Sequence, residues 1–334
     1  GSGRRDLMGY RLRDAMRGKI AVEEHFVTPE LERCIAAGGW EPAAWRRVVD
    51  RLEDIDERLA QMDDLGIERA VLSLGSEGIQ GIADAAEAAR TARAANDALA
   101  EIVAAHPDRF AGFAAVPLQD PAAAAQELER AVRDLGFRGA LVNGYSETTA
   151  GARYYDDTAY LPFWEHVAGL GVPLYLHPRN PLPGTPMLAG RPELLGPTWA
   201  FAVETGTHAL RLIVSGLFDR LPDLQIILGH MGEFLPFAVA RLQQRMARVA
   251  EGKVLATPPR QVLQDNFWIT ISGNYHTPSL LGTMLELGAD RVLFACDHPF
   301  EDMAGGARWF DAVAISEADR LKIGRSNAQR LLSL

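Results

Sequence analysis

The chain has 334 residues, with 34 Lys+Arg against 44 Asp+Glu for a formal charge of −10, and 48% apolar and 23% charged residues. This balance is ordinary for a globular domain and excludes extensive disorder, while the acidic excess argues against a nucleic-acid partner, whose affinity comes mostly from basic patches. Two cysteines, Cys34 and Cys296, are too few for a disulfide framework or a four-cysteine zinc site and fit a reducing, cytoplasmic setting.

In chain order, Gly-Ser-Gly-Arg-Arg lacks the apolar stretch of a signal peptide, so residues 1–17 read as a cloning scar plus a polar extension, leaving 18–334 as a single domain. No apolar run reaches the roughly 18 residues of a membrane span. Near-continuous apolar runs then recur at Lys19–Val22, Arg69–Leu74, Phe110–Val116, Gly139–Val142, Pro173–Leu176, Leu224–Leu228, Phe267–Ile271 and Arg291–Phe294. Runs of this kind predict parallel strands buried on both faces. Between them lie helix-period stretches at Trp45–Leu65, Ile82–Ala105, Asp120–Leu135, Trp199–Phe218 and Phe234–Ala250. Eight strands alternating with helices predict an α/β fold, a (β/α)8 TIM barrel. An open dinucleotide-binding sheet is the rival, but no Gly-x-Gly-x-x-Gly follows the first strand. Two segments interrupt the rhythm: a polar loop at Gly144–Asp157, and the Pro- and Gly-rich Pro178–Pro197, which is positioned to act as a lid.

The chemistry lies in the residues just past each strand. The first strand ends in Glu23-Glu24-His25, the fourth in Asn143-Gly144 and the fifth in His177-Pro178-Arg179-Asn180. The sixth ends in Gly229-His230-Met231-Gly232-Glu233, the seventh in Ser272-Gly273-Asn274 and the eighth in Asp297-His298. In a barrel these ends meet at one face, where active sites of the fold lie. Glu23 and His25, two apart on an extended segment, point to the same side and leave Glu24 pointing away. With His177 and Asp297 they form an N/O set suited to one divalent ion such as Zn(II) or Mn(II). If a helix begins near Met231, Glu233 lies in its first turn and can bond back to His230, fixing its tautomer. Arg241 falls two helical turns further on, facing either the acid cluster or a subunit contact. His106, His166 and His208 read as structural or solvated, His276 and His298 stand just past strand ends, and Cys296 reads as a small buried thiol.

Four stretches carry a family resemblance: Gly-Lys-Ile-Ala-Val-Glu-Glu-His-Phe from Gly18, Leu-His-Pro-Arg-Asn-Pro-Leu around His177, Leu-Leu-Gly-Pro-Thr-Trp-Ala-Phe ending at Phe201, and Ile-Ile-Leu-Gly-His-Met-Gly-Glu ending at Glu233. From Gly18 to Leu334 the chain resembles the γ-resorcylate (2,6-dihydroxybenzoate) decarboxylases, and it is similar to the 2,3-dihydroxybenzoate and salicylate decarboxylases of the amidohydrolase superfamily. The resemblance implies a distorted barrel of the amidohydrolase type holding one divalent metal on Glu23, His25, His177 and Asp297. It implies His230 and Glu233 as the catalytic pair, with Arg241 near them.

The implied reaction is reversible, non-oxidative decarboxylation of an ortho-hydroxybenzoate, with Asp297 as proton donor as well as ligand and no organic cofactor. Asn143, Arg241, Phe300, Trp40 and His298 are the expected substrate contacts, the substrate being a small aromatic carboxylate. The family resemblance also implies a homodimer or homotetramer. Departures from the relatives stand at Gly75-Ser76-Glu77, at His276, at His298 and in Ala36–Ala44. The same ligands would serve a hydrolase of esters, lactones or amides with Asp297 as base, so the product lost separates the two readings.

Overall fold

Residues 15–249 and 251–334 are described by a computed structural model. Residues 1–14, most of the predicted extension, lie outside the described residues. Met16 already packs on the core, so ordered structure begins before residue 18. In chain order the strands are β1 (Lys19–Phe26), β2 (Ile67–Leu74), β3 (Phe110–Gly112), β4 (Ala140–Asn143), β5 (Ser146–Thr148), β6 (Gly151–Arg153), β7 (Leu174–His177), β8 (Ile226–Leu228), β9 (Phe267–Thr270) and β10 (Val292–Leu293).

Neighbouring strands pair in parallel from β1 through β3 and from β4 through β7, β8 and β9 to β10. Two bridges join these sheets into a closed ring: Ala114 pairs with Ala140 between β3 and β4, and Glu24 with His298 beyond the end of β10. The second seam is reinforced by Val22 N–H donating to the Phe294 carbonyl at 3.1 Å. The architecture is thus the expected (β/α)8 barrel, distorted because both seams are made by irregular segments. Alternate residues from the strands (Ile20, Val22, Val71, Phe113, Leu141, Tyr175, Ile227, Trp268 and Leu293) form one cluster inside it. Their neighbours, such as Ala21, Leu72, Val142, Leu176, Leu228 and Ile269, form a second cluster under the helices.

Several predicted elements divide or shorten for local reasons. The stretch Trp45–Leu65 is two helices, Pro42–Glu53 and Ile55–Leu65, because Asp54 adopts extended backbone and its carboxylate caps the second helix at Glu57 N. The stretch Trp199–Phe218 stops at Val214, and a short helix resumes at Leu217 after Gly216 with φ +81°. The polar loop Gly144–Asp157 contains the antiparallel hairpin β5–β6, which periodicity over three residues could not reveal. Pro178–Pro197 holds two single-turn 3-10 segments, and a third, Gly196–Thr198, runs just past its end. No helix among the described residues is long and apolar enough to cross a membrane.

Candidate metal centre and catalytic cluster

The pleat of β1 changes phase where the chemistry begins. Ile20 and Val22 face the barrel interior, so unbroken alternation would send Glu24 inward next. Instead β1 spends three steps, Ala21 to Glu24, while β2 spends two, Ala70 to Leu72. The extra residue is a bulge, which turns a strand's later side chains over. Glu23 and His25 therefore both enter the barrel mouth, and Glu24 faces outward.

In the mouth, one ligand atom from each of Glu23, His25, His177 and Asp297 lies within 4.8 Å of the others, and all four residues are buried. His25 Nε2 is 3.2 Å from Asp297 Oδ1, and His177 Nε2 is 3.4 Å from Glu23 Oε1. Glu23 Oε1, His25 Nε2 and Asp297 Oδ1 are buried without a hydrogen-bond partner. Orphaned polar atoms converging on one point are costly unless something binds them, and two imidazoles with two carboxylates fit a divalent ion such as Mn(II) or Zn(II).

The remaining atoms of these side chains are held from behind. Glu23 Oε2 accepts from Tyr175 Oη and from Ser272 Oγ (2.6 Å), which turns Oε1 to the mouth. The lack of a side chain at Gly229 leaves room for this: a Cβ there would stand 2.8 Å from Glu23 Oε2 and 2.9 Å from Tyr175 Oη. Ser73 Oγ lies 3.2 Å from His25 Nδ1, and Asn143 Oδ1 lies 2.8 Å from His177 Nδ1. Both imidazoles are thereby oriented with Nε2 toward the centre.

His230 stands beside this set, with Nε2 3.3 Å from Glu23 Oε1 and 3.4 Å from Asp297 Oδ2. Its Nδ1 is 2.6 Å from Glu233 Oε1. The expected helix start near Met231 is not what brings this pair together. His230, Met231, Gly232, Glu233 and Phe234 all have positive φ, between 50° and 81°, and the helix begins only at Leu235. Four of these residues carry a Cβ, and each costs roughly 1–2 kcal/mol in this region. The turn is held by Met231 N–H donating to the Thr270 carbonyl (2.8 Å) and by burial of the Met231 side chain. It fits against the helix Ala200–Val214 because Gly206 lies beneath the Glu233 carbonyl, where a Cβ would stand 2.8 Å from the oxygen.

Burial works against charge throughout, and the charges prevail at three positions. Burial opposes ionisation of Glu23, yet the His230 charge and the close His177 and His230 imidazoles hold it well below the carboxylate range. Burial and Glu23 push Asp297 up, and His230 and His25 bring it below its ordinary value. Burial disfavours the His230 cation, but Glu23, Glu233 and Asp297 raise it well above the usual imidazole range. Burial lowers His177 and raises Glu233.

The other expected contacts are more scattered. Phe300 lies edge-on to His25 with ring centroids 5.7 Å apart. It shares a cavity of about 610 Å³ with Trp40, Arg51 and Glu301. Asn143 orients His177 rather than forming an open wall. His298 is buried with Nδ1 3.5 Å from Arg51, and burial beside Arg58 and Arg51 pushes its imidazole down to about 2. Its Nδ1 thus faces the helix Pro42–Glu53. Arg241 is exposed on the helix Leu235–Met246, and no hydrogen bond or ion pair among the described residues links it to the acids. His276 is likewise exposed, its Nδ1 2.8 Å from Ser279 Oγ. Glu77 of the divergent segment after β2 forms a 3.4 Å ion pair with Arg179.

Tyr175 and Ser73 escaped the sequence reading because each looked like strand filling. The available signal was spacing: Tyr175 lies two residues before His177 and so shares its inward face.

A closed α/β barrel whose mouth gathers two histidines and two carboxylates beside a histidine–glutamate pair is the architecture of a metal-dependent barrel enzyme. The chain belongs to the amidohydrolase family, whose model matches residues 20–334. It is 52% identical over 332 residues to the gamma-resorcylate decarboxylase of Rhizobium radiobacter, covering 96% of this chain and 99% of that protein. A solved structure of 2,6-dihydroxybenzoate decarboxylase complexed with 2,6-dihydroxybenzoate superposes with a TM-score of 0.92 at 52% identity, covering 96% of this chain and 100% of that one. The dihydroxybenzoic acid decarboxylase of Polaromonas sp. JS666, with bound manganese and the inhibitor 2-nitroresorcinol, superposes with a TM-score of 0.92 at 51% identity, covering 96% and 98%.

Proposed function

We propose that the chain catalyses metal-dependent, non-oxidative decarboxylation of 2,6-dihydroxybenzoate or a closely related ortho-hydroxybenzoate, reversibly, to a phenol and CO2. The observation that carries this reading is the near-full-length 52% identity to a named gamma-resorcylate decarboxylase. The buried donor set agrees with it.

Glu23, His25, His177 and Asp297 would hold one divalent ion, manganese or zinc, with no organic cofactor. Such an ion supplies Lewis-acid polarisation of the substrate carboxylate and its ortho oxygen. Direct loss of CO2 from the ring would leave an unstabilised aryl carbanion, so C1 must take up a proton first. His230 holds a proton at Nε2, 3.4 Å from Asp297 Oδ2, with Glu233 balancing the charge at Nδ1. Asp297 passes that proton to C1. The bond from C1 to the carboxylate then breaks, its electron pair restores the aromatic ring, CO2 departs, and the acid pair recovers a proton from solvent. Phe300 and Trp40 supply apolar wall beside His25. The assembly we propose is a cytoplasmic homodimer or homotetramer.

The test uses protein loaded separately with Mn(II) and Zn(II) and given 2,6-dihydroxybenzoate, 2,3-dihydroxybenzoate and salicylate, with chromatographic detection of the phenols. Phenol formation that disappears in Asp297→Asn is the expected result. A fully loaded protein that leaves all three acids intact, yet cleaves an ester, lactone or amide, overturns the reading in favour of hydrolysis.

A further inference from the structure

Asp297 does not sit on a strand. β10 ends at Leu293, and residues 294–299 run on irregularly, with Asp297 itself at φ +57°. A carboxylate carried on such a segment needs something to fix it. Two backbone contacts tie it to β1: Asp297 N–H donates to the Glu23 carbonyl at 2.8 Å, and His25 N–H donates to the His298 carbonyl at 3.0 Å.

The N–H groups on either side of Asp297 point the other way, out of the barrel mouth, in residues 0% and 1% exposed. Both donate to one side chain. Glu24 Oε1 accepts from Cys296 N at 2.8 Å, and Glu24 Oε2 accepts from His298 N at 3.1 Å. Glu24 is itself fully buried. Burial pushes its carboxyl up to about 8, against the opposing Arg58 charge, and the Arg58 guanidinium donates to the carbonyl of His25. Without the carboxylate, two buried donors would be left unpaired, each a cost that the chain relieves by moving.

We propose that Glu24 is a positioning residue for Asp297: its two oxygens clamp the flanking amides and so aim the Asp297 carboxyl at Glu23, His25 and His230. The three consecutive residues Glu23, Glu24 and His25 then build the site from both sides of one strand. Two line the mouth, and the middle one secures the acid from behind. This rests on the proposed role of Asp297 as ligand and acid.

The test is a double-mutant cycle. Glu24→Gln keeps the length and loses one acceptor, whereas Glu24→Asp keeps a carboxyl group near Arg58 but is too short to span both amides. Each is made in the wild-type and Asp297→Asn backgrounds, with folding checked by circular dichroism and Mn(II) affinity of the metal-free protein measured by calorimetry. In the wild-type background both variants should weaken Mn(II) binding at least tenfold and lower kcat at least tenfold with KM nearly unchanged. In Asp297→Asn the additional loss of affinity should be under twofold. Equal losses in both backgrounds, or a lowered melting temperature with wild-type affinity and kcat, overturn the proposal. So does a Glu24→Asp protein that behaves as wild type, since a carboxyl group near Arg58 would then suffice without the two-amide clamp. If one variant fails to fold, the other carries the cycle. Wild-type Mn(II) affinity in Asp297→Asn alone refutes the ligand reading of Asp297. Glu24 is then judged on kcat in the single variants: a tenfold fall at unchanged KM supports it, and a wild-type value overturns it.

Discussion

Glu233 reaches back three residues to His230, Oε1 to Nδ1 at 2.6 Å, across a turn in which both residues have left-handed φ. A regular helix would stack the two residues on its face, whereas this turn directs Nε2 of the same imidazole at Asp297 and Glu23. The pair is therefore one unit in which Glu233 stabilises the cation that His230 presents to the mouth. Glu233→Gln removes that charge, so the His230 pKa should fall and the alkaline limb of the kcat profile should move to lower pH. At neutral pH, kcat should drop by about a hundredfold, the usual scale for a positioned proton donor. A pH–rate series on both proteins checks this; an unmoved alkaline limb would show that Glu233 does not govern the proton.

Removal of metal should abolish turnover and also loosen the mouth, because Glu23 and Asp297 would then face each other with only the histidines between them. Dialysis against a chelator, followed by activity and thermal melts, should show loss of both turnover and melting temperature. Mn(II) should restore both. At a hundred times the dissociation constant, the regained stability should be about 2.7 kcal/mol.

Asn143 touches no donor atom of the set directly, yet its Oδ1 holds His177 Nδ1 at 2.8 Å. Asn143→Ala leaves that ring free to rotate and to exchange tautomers. Metal affinity should fall by about ten- to a hundredfold, the range found for partners of ligating histidines. Calorimetric titration with Mn(II) measures it, and affinity within twofold of wild type would remove Asn143 from this role.

His208 gives a pH dependence remote from the mouth. It is fully buried on the helix Ala200–Val214, and its Nε2 accepts from Tyr155 N–H at 3.2 Å. Burial, aided by the Arg211 charge, pushes its imidazole down to about 3. The unfolded chain, with an ordinary value near 6.5, binds a proton that the folded chain refuses. The neutral ring thus costs nothing above pH 6.5, and stability is lost as pH falls from there toward 3. The slope contributed approaches about 1.4 kcal/mol per pH unit. Urea denaturation at pH 7.5, 6.5 and 5.5 should show a steeper decline for wild type than for His208→Gln; parallel declines would refute the assignment.

The barrel and the convergence of Glu23, His25, His177 and Asp297 were legible because both depend on residue type at strand ends. Apolar runs marked the eight strands, and the first polar side chains after them marked the mouth. The hairpin at Ser146–Arg153 was hidden because its strands are three residues each. The left-handed turn at 230–234 was hidden because only Gly232 within it advertises positive φ. Tyr175 reads as part of the apolar run Pro173–Leu176, because a phenol in such a strand gives no sign of whether its hydroxyl meets a carboxylate. Arg241 and His298 show the opposite limit: a plausible residue type at a plausible spacing says nothing of its rotamer or exposure. One is turned to solvent and the other to Arg51.

The bulge in β1 makes activity a matter of parity. The same sequence paired without the bulge would have an unchanged composition and leave every hydrophobic layer outside that strand untouched. It would nonetheless exchange the reactive side of β1 for its packing side, sending Glu24 into the mouth and Glu23 and His25 beneath the helices. Deleting Val22 together with the bulge would restore the parity, because Glu23 then follows Ala21 into the mouth and His25 follows Glu24.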